Sequence, residues 1–536
     1  MHWLNPRSWG YTLAICLLMV SLQPAHAQLV SVSVAGVDTL MDTVKYGLKM
    51  AGKEDMAQQI DSLLDAFLQN EGFKGLNTKR GMGLYLNKFP SNPTQPSFVA
   101  YVPISNVDEF LALLGKLNVT PSKEENGVRS IQLPTGQSLY LKFKSDYAFI
   151  SLDEDELKNT SEPARLTSSV PANALIHVHV KLNEIPQELK DKFLIEVAKG
   201  IEKEKNKKAG ESDVEYQARL VAMNMPKQAI EQLVNGAETF SFSASLDTTK
   251  HVFMIDSILK AKDGSPLHQE MQAMNQSKSR FTSLLASAPV SFVYHGVLNE
   301  TVRKDFDKLL DNLVTKAIQE EKSVVKKAIA EKVYQVIEPT LKSKNYEFAF
   351  SMKSHGESEP MTGLAALRVK NGKQIEELIK GLIVEMKEKE KQAIKLDVEK
   401  VDGVNLHVVT IPTDDKGAKE MTEVFGEGKL TLAFHDEAIL LGIGKQSTEE
   451  VKRLLGSFNQ AGATNPASME FNLHARAFAR FIKEMPVRKA FESAFTTPDS
   501  DLIKSSISGG DQLRFQLQVS THFIKLAEAM NKGRDE

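Results

Sequence analysis

Beyond its first 27 residues the chain reads as α+β: two modules, each an antiparallel sheet with helices packed on one face. Three observations predict this. The order strand, helix, Asx-Gly turn, three strands, helix occurs twice, at 97–158 and 363–456. Asn126-Gly127 and Asp402-Gly403 sit at the same place in both copies; Asx-Gly tolerates the positive φ that a tight hairpin demands. Strands such as 138–144 alternate, with Leu139, Leu141 and Phe143 on one side and Tyr140, Lys142 and Lys144 on the other, the pattern of a sheet with one wet face. Helices alternating with antiparallel hairpins define the α+β class.

The first residues form a targeting signal. Arg7 supplies a positive start, Leu13–Leu22 an apolar core, and Ala25-His26-Ala27 an A-x-A site that places cleavage before Gln28. Cys16 raises a lipoprotein alternative, against which stand the bulky Ile15 and the apolar run beyond it. No later stretch approaches the roughly 20 apolar residues of a spanning helix. These features imply an exported chain, periplasmic or secreted.

The lone cysteine and both tryptophans, Cys16, Trp3 and Trp9, fall in the signal. The rest of the chain therefore has no thiol to pair or to attack. Removing Arg7 turns 66 minus 69 into 65 minus 69, a net charge of −4, which gives no footprint for nucleic acid. A chain of this length holds two or three ordinary domains.

The duplication starts near the new N-terminus. Val30–Val37 matches Val290–Val297; helical regions follow at 42–71 and 301–342, then alternating strands at 83–87 and 347–351. The second helical region carries an apolar stripe through Phe306, Leu310, Leu313, Val325, Val333 and Val336. It reads as one helix or a hairpin on the sheet, with a partner-helix surface as the other use. Its polar side mixes both signs, which argues against a helix lying along a membrane. In the central segment Phe98–Val102 matches Leu364–Val369, Ile131–Pro134 matches Val409–Pro412, and Ala148–Leu152 matches Ile439–Ile443. Helix starts at Asp153–Glu156 and Ser447–Glu450 are acidic; carboxylates favour that end of a helix, and Ser447 with Glu450 has capping-box spacing. Farther on, Ile176–Lys181 corresponds to Met469–His474 and Thr239–Ala244 to Gln512–Leu517. Glu202–Ser212 is a lysine-rich connection, and Met530–Glu536 is expected to fray. The modules are 28–285 and 286–536.

Chemistry is sparse. His177 and His179, two apart in a strand, share a face and are the weak candidates for a metal. With Ile176, Val178 and Val180 opposite, they stand where a half-buried strand keeps its solvated residues, and the second module has Glu470 and Asn472 there. Gly442–Ser447 lacks the first glycine and the Ser or Thr of a phosphate loop. Ser323-x-x-Lys326 has no companion motif. We assign no catalytic residue, no cofactor and no metal.

The signal, the duplicated module and the phrases Phe73–Leu86 and Phe98–Ile104 resemble large exported proteins of planctomycete-type bacteria. The resemblance implies localisation and no site residues. The expectation is a non-enzymatic exported binding or scaffold protein with a protein partner. The alternatives are a periplasmic carrier of an apolar small molecule such as a lipid, and a hydrolase with a site between the modules. A filled core with an exposed apolar patch would favour protein recognition; a continuous apolar cavity would favour the carrier.

Overall fold

The computed structural model describes residues 29–535 except 68–71, 88–97, 117–118, 134–135, 168–169, 204, 212, 277, 286–287, 298–299, 357–358, 387, 412–415 and 460–466. The signal segment, with Cys16 and the Ala25-His26-Ala27 site, lies outside the described residues. The chain forms two compact units. The first runs through Gly200 and adds Ile230–Asp263 and Thr521–Lys532; the second comprises Ile201–Ala229, Gly264–Ser520 and Gly533–Glu536.

The first unit contains β1 (Val30–Val34), β2 (Met82–Leu86), β3 (Phe98–Pro103), β4 (Arg129–Gln132), β5 (Ser138–Lys144), β6 (Tyr147–Ser151), β7 (Ala174–Lys181), β8 (Ala237–Asp247) and β9 (Val252–Ala261). Their pairings, all antiparallel, give the order β4-β5-β6-β3-β2-β1-β7-β8-β9. Helices α1 (Val37–Met50), α2 (Glu54–Phe67), α3 (Val107–Lys116), α4 (Pro163–Thr167) and α5 (Gln187–Lys203) are threaded between them, followed by α6 (Asp213–Gly236), which belongs to the second unit as far as Ala229.

The second unit contains α7 (Pro266–Gln276), β10 (Val290–Val297), α8 (Glu300–Glu320), α9 (Val324–Leu341), β11 (Asn345–Lys353), β12 (Thr362–Arg368), α10 (Gly372–Val384), α11 (Glu388–Lys391), β13 (Ile394–Val401) and β14 (Val404–Thr410). There follow α12 (Lys416–Phe425), β15 (Lys429–His435), β16 (Ala438–Ile443), α13 (Ser447–Asn459), β17 (Ala467–His474), α14 (Met485–Ala494), β18 (Leu502–Ser508) and β19 (Gln512–Ser520). The antiparallel order is β13-β14-β15-β16-β12-β11-β10-β17-β18-β19.

Local chemistry explains the turns. Asn126 and Gly127 have φ of 52° and 78°, and Asp402 and Gly403 have 50° and 82°, the two positive values a tight hairpin turn requires. Ser145 and Asp146 turn β5 into β6 in the same way, at 51° and 61°.

Helices cover both faces of each sheet at the β6 and β16 ends, which corrects the expectation of helices on one face. In the first unit α3 brings Phe110 onto Ile131, Leu141 and Ala148, while Leu157 and Leu166 close the opposite face over Tyr85, Tyr101, Tyr147 and Phe149. In the second, α10 packs Ile375 on Phe434, and α13 packs Val451, Leu454, Leu455 and Phe458 over Ala366, Ala433, Ala438 and Leu440. The cause is the continuous apolar runs Ala148–Ile150 and Ile439–Leu441, since a strand apolar on successive residues presents hydrophobic surface to both sides.

Three chain segments sit apart from their expected modules: Ile201–Ala229 and 264–285 group with the second unit, and Thr521–Lys532 with the first. The α7 helix packs on β10, β17 and β19, although the sequence reading placed it before the boundary at 285/286. The C-terminal helix, α15 (His522–Asp535), belongs to the first unit through Lys532. There Tyr46 Oη lies 2.6 Å from His251 Nδ1 and 2.7 Å from Thr521 Oγ1. Residues 530–535, expected to fray, continue that helix. The expected capping box does not form: Ser447 Oγ lies 2.9 Å from Thr431 Oγ1, and the Glu450 carboxylate is held by Lys353 and Arg453.

Candidate functional site

Among the described residues, one group brings together three side chains of metal-ligand type: Glu376 on α10, Asp397 in a bulge of β13, and His407 on β14. Asp397 has φ 52° where the β13–β14 register slips. That kink aims its backbone N–H at His407 Nδ1, 3.1 Å away, so the neutral ring carries its proton on Nε2. Nε2 lies 3.2 Å from Glu376 Oε1 without the alignment of a hydrogen bond. The cation of the cluster is already present in the chain. Lys380 Nζ stands 2.6 Å from both Glu376 Oε1 and Asp397 Oδ1, and Asn405 donates to Glu376 at 2.8 Å.

Charges follow from this geometry. Burial pushes the Glu376 carboxyl up, but Asn405 and Lys380 outweigh it and hold the group below its usual range. Burial also opposes the Lys380 ammonium, and its two carboxylate partners reverse that and raise it. Burial lowers His407 and keeps it neutral. With the ammonium between the carboxylates and a proton on Nε2, the group carries one net negative charge, and Lys380 ties α10 to the β13 bulge. The His407 ring offers a metal no free lone pair, because Nδ1 accepts from the Asp397 amide and Nε2 bears the proton.

The structure corrects the solvated-face reading of His177 and His179. His177 is buried, with Nδ1 3.0 Å from Ser243 Oγ, and Nε2 has no hydrogen-bond partner; His179 is half-buried. Burial lowers both imidazoles. Among the described residues no third ligand joins them. Across β1 and β7, His177 faces Ser33 and His179 faces Ser31, and both serines are buried. The polar face of the sheet is therefore the covered one.

The opposite face is apolar and open, an arrangement more informative than any single exposed leucine. In the second unit, Leu367 on β12, Phe348 on β11 and Tyr294 on β10 are direct register neighbours, and they are 46%, 40% and 40% exposed. The row continues through half-buried Met469, Ile507 and Phe515 on β17, β18 and β19. A parallel row runs Ala365, Phe350, Phe292 and Phe471. In the first unit the matching face carries Leu84, itself exposed, with Val32, Val178 and Phe242 beside it. Alternation in each strand was visible in the sequence, but which side the helices would cover was not.

Comparison with protein-family models, curated proteins and solved structures finds no match.

Proposed function

We propose that the chain is an exported, non-enzymatic binding protein made of two copies of one module, and that each copy presents its open apolar sheet face to a protein partner. Duplication is supported by strand order: from β4 to β9 and from β14 to β19, nine strands pair in the same succession. The register also aligns His177 and His179 with Glu470 and Asn472, the same correspondence the sequence suggests.

The observation that carries the binding reading is the Leu367–Phe348–Tyr294 row. Three large apolar side chains on adjacent strands, each at least 40% exposed, form a contiguous surface of the kind that marks association. Aromatic side chains of this type act as anchors, because they bury much area for little lost rotamer freedom. On the other side of these strands Val293, Ala349 and Ala366 share one buried core with Val451, Leu454, Leu455 and Phe458 of α13, which favours protein recognition over carriage of a lipid.

Native mass spectrometry of the full chain, isolated from the compartment it is exported to and without detergent, tests this. A retained polypeptide that Phe348→Lys and Leu367→Lys release supports the reading. An added mass that extracts as lipid replaces it with the carrier. A bare chain in every preparation overturns both.

A further inference from the structure

The most exposed large apolar residue among the described ones is not on a sheet. Val324 is 82% exposed and its neighbour Val325 is 67% exposed; both lie where α8 turns into α9. The two helices form an antiparallel hairpin, because Asp311 on α8 accepts from Tyr334 Oη of α9 at 2.6 Å and meets Nζ of Lys342, which caps the end of α9, at 2.7 Å. The turn is well built. Glu321 Oε1 accepts from the Ser323 amide at 2.8 Å, and Ser323 Oγ accepts from the Lys326 amide at 3.3 Å. Local stability thus does not require the valines.

What surrounds them is cationic. From Lys322 to Ala330 the chain carries Lys322, Lys326 and Lys327 and no carboxylate. None of the three lysine side chains has a partner among the described residues, whereas many other lysines of this unit are paired. Glu321, next to Lys322, is turned back onto the Ser323 amide, and the next described acid along α9 is Glu331.

A second exposed apolar pair lies at the same end of the helical layer. The helices α9 and α10 are antiparallel neighbours, since Thr340 bonds the Lys370 backbone and Val336 packs on the cluster that holds Val369 and Ile375. At 1.5 Å per residue, Val324 lies about 18 Å along the axis from Val336, and Val384 about 8 Å from Ile379 in the same direction. Val384 is 71% exposed and Met386 is also exposed. The hairpin tip therefore lies toward the same end of the helical layer as a second apolar step.

We propose that this tip docks on an anionic lipid surface. Val324 and Val325 enter the boundary between headgroups and acyl chains, and Lys322, Lys326 and Lys327 meet the lipid phosphates. Lysine stems lie along apolar surface while their ammonium groups stay at the phosphate level. The flanks of α8 and α9 mix both signs and do not lie in the membrane plane; only the end of the hairpin makes the contact. Charge selects the occupant, because an apolar protein groove would have no use for three unpaired ammonium groups around two valines. Binding of the sheet face to its partner is a separate matter and does not enter this argument.

The test is sedimentation of the full chain with vesicles of phosphatidylcholine alone or phosphatidylcholine mixed with phosphatidylglycerol. The chain should pellet with the anionic vesicles and not with the neutral ones, and less in high salt. Each basic residue near such a surface strengthens binding about fivefold, so Lys322→Gln, Lys326→Gln and Lys327→Gln together should weaken it about a hundredfold. Val324→Asp with Val325→Asp should abolish pelleting while leaving the circular dichroism unchanged; Val324→Ser with Val325→Ser serves if the aspartates disturb folding. A full chain that stays in the supernatant with anionic vesicles overturns the proposal. So does binding that survives in a folded valine variant.

Discussion

The two units cover the same sheet face by different means. Positions that coincide in the two pairing registers are Tyr85 and Ser351, Tyr101 and Ala366, Tyr147 and Ala438, Phe149 and Leu440. The first unit fills the space with rings, and the helix that follows β6 shrinks to one 3-10 turn at Glu154–Leu157. The second keeps small side chains there, and the 13-residue α13 descends onto the strands. Gly442 marks how close that approach is: a Cβ at this position would meet Val451 Cγ2 at 2.8 Å and the Ser447 carbonyl at 2.9 Å. Its counterpart in the first unit is Ser151. Close packing conserves filled volume, so rings and helix are alternative solutions to one space.

Buried rings bring polar atoms with them. Tyr101 crosses β2 over Gly83 to reach Ser33 Oγ on β1 at 2.7 Å; a Cβ on Gly83 would sit 2.6 Å from the tyrosine oxygen. Burial raises the Tyr101 phenol and pushes that of Tyr85 up to about 12, so both stay neutral. The second unit avoids this requirement but needs a helix of matching shape.

Exchanging register-equivalent residues breaks the comparison at its strongest point first. Tyr101→Ala installs the residue of the second unit without a helix to fill the space. It should cost about 4 kcal/mol, read by chemical denaturation and by faster amide exchange in β2, β3 and β6 alone. The reverse exchange, Gly442→Ser, forces α13 outward and should cost about 2 kcal/mol, with exchange rising in β12 and β16. An unchanged stability in either variant would mean the two surfaces are not alternatives.

A smaller exchange concerns the acid after β6 or β16. Glu156 accepts from Asn87 at 3.0 Å, whereas Glu450 pairs with Lys353 at 3.0 Å and Arg453 at 2.8 Å. Lys353→Asn copies the first unit and leaves Arg453 in place, so the loss should be about 1 kcal/mol, less than for a fully broken buried pair. Double-mutant denaturation with Glu450→Gln measures the coupling.

The smallest effect sharpens the comparison through pH. Where the first unit has Lys181 and Glu238, the second has His474 and Asp501, with Nδ1 3.2 Å from Oδ1. The bond to Asp501 raises His474. Burial opposes the Asp501 charge, but His474 and the Arg476 amide overcome it and lower the carboxyl. The histidine's contribution is complete below its unfolded value and fades as pH rises through the raised one. The carboxylate's is complete above its unfolded value and fades as acid reaches the lowered one. Together they stabilise most near pH 5, by less than about 1 kcal/mol because the imidazole is partly exposed. The stability difference between the native chain and His474→Gln, followed against pH, should peak there and vanish in alkali.

The sequence determined the local geometry and the repeated order. Asn126-Gly127 and Asp402-Gly403 could hardly do anything but turn, and alternation in β5 could be read residue by residue. The runs Ala148–Ile150 and Ile439–Leu441 already signalled two covered faces, although the one-face expectation passed over them. Tertiary structure alone decided the rest. Glu376, Asp397 and His407 converge only because a bulge in β13 brings Asp397 against α10, where Glu376 lies 21 residues upstream of it (397 − 376). His177 is buried because the polar side of its strand was the side covered, and an alternating pattern is the same whichever side is inward. Periodicity follows from backbone geometry and is written locally; which face is covered depends on the volume of residues far away in sequence, and that is settled only when the sheet has closed around them.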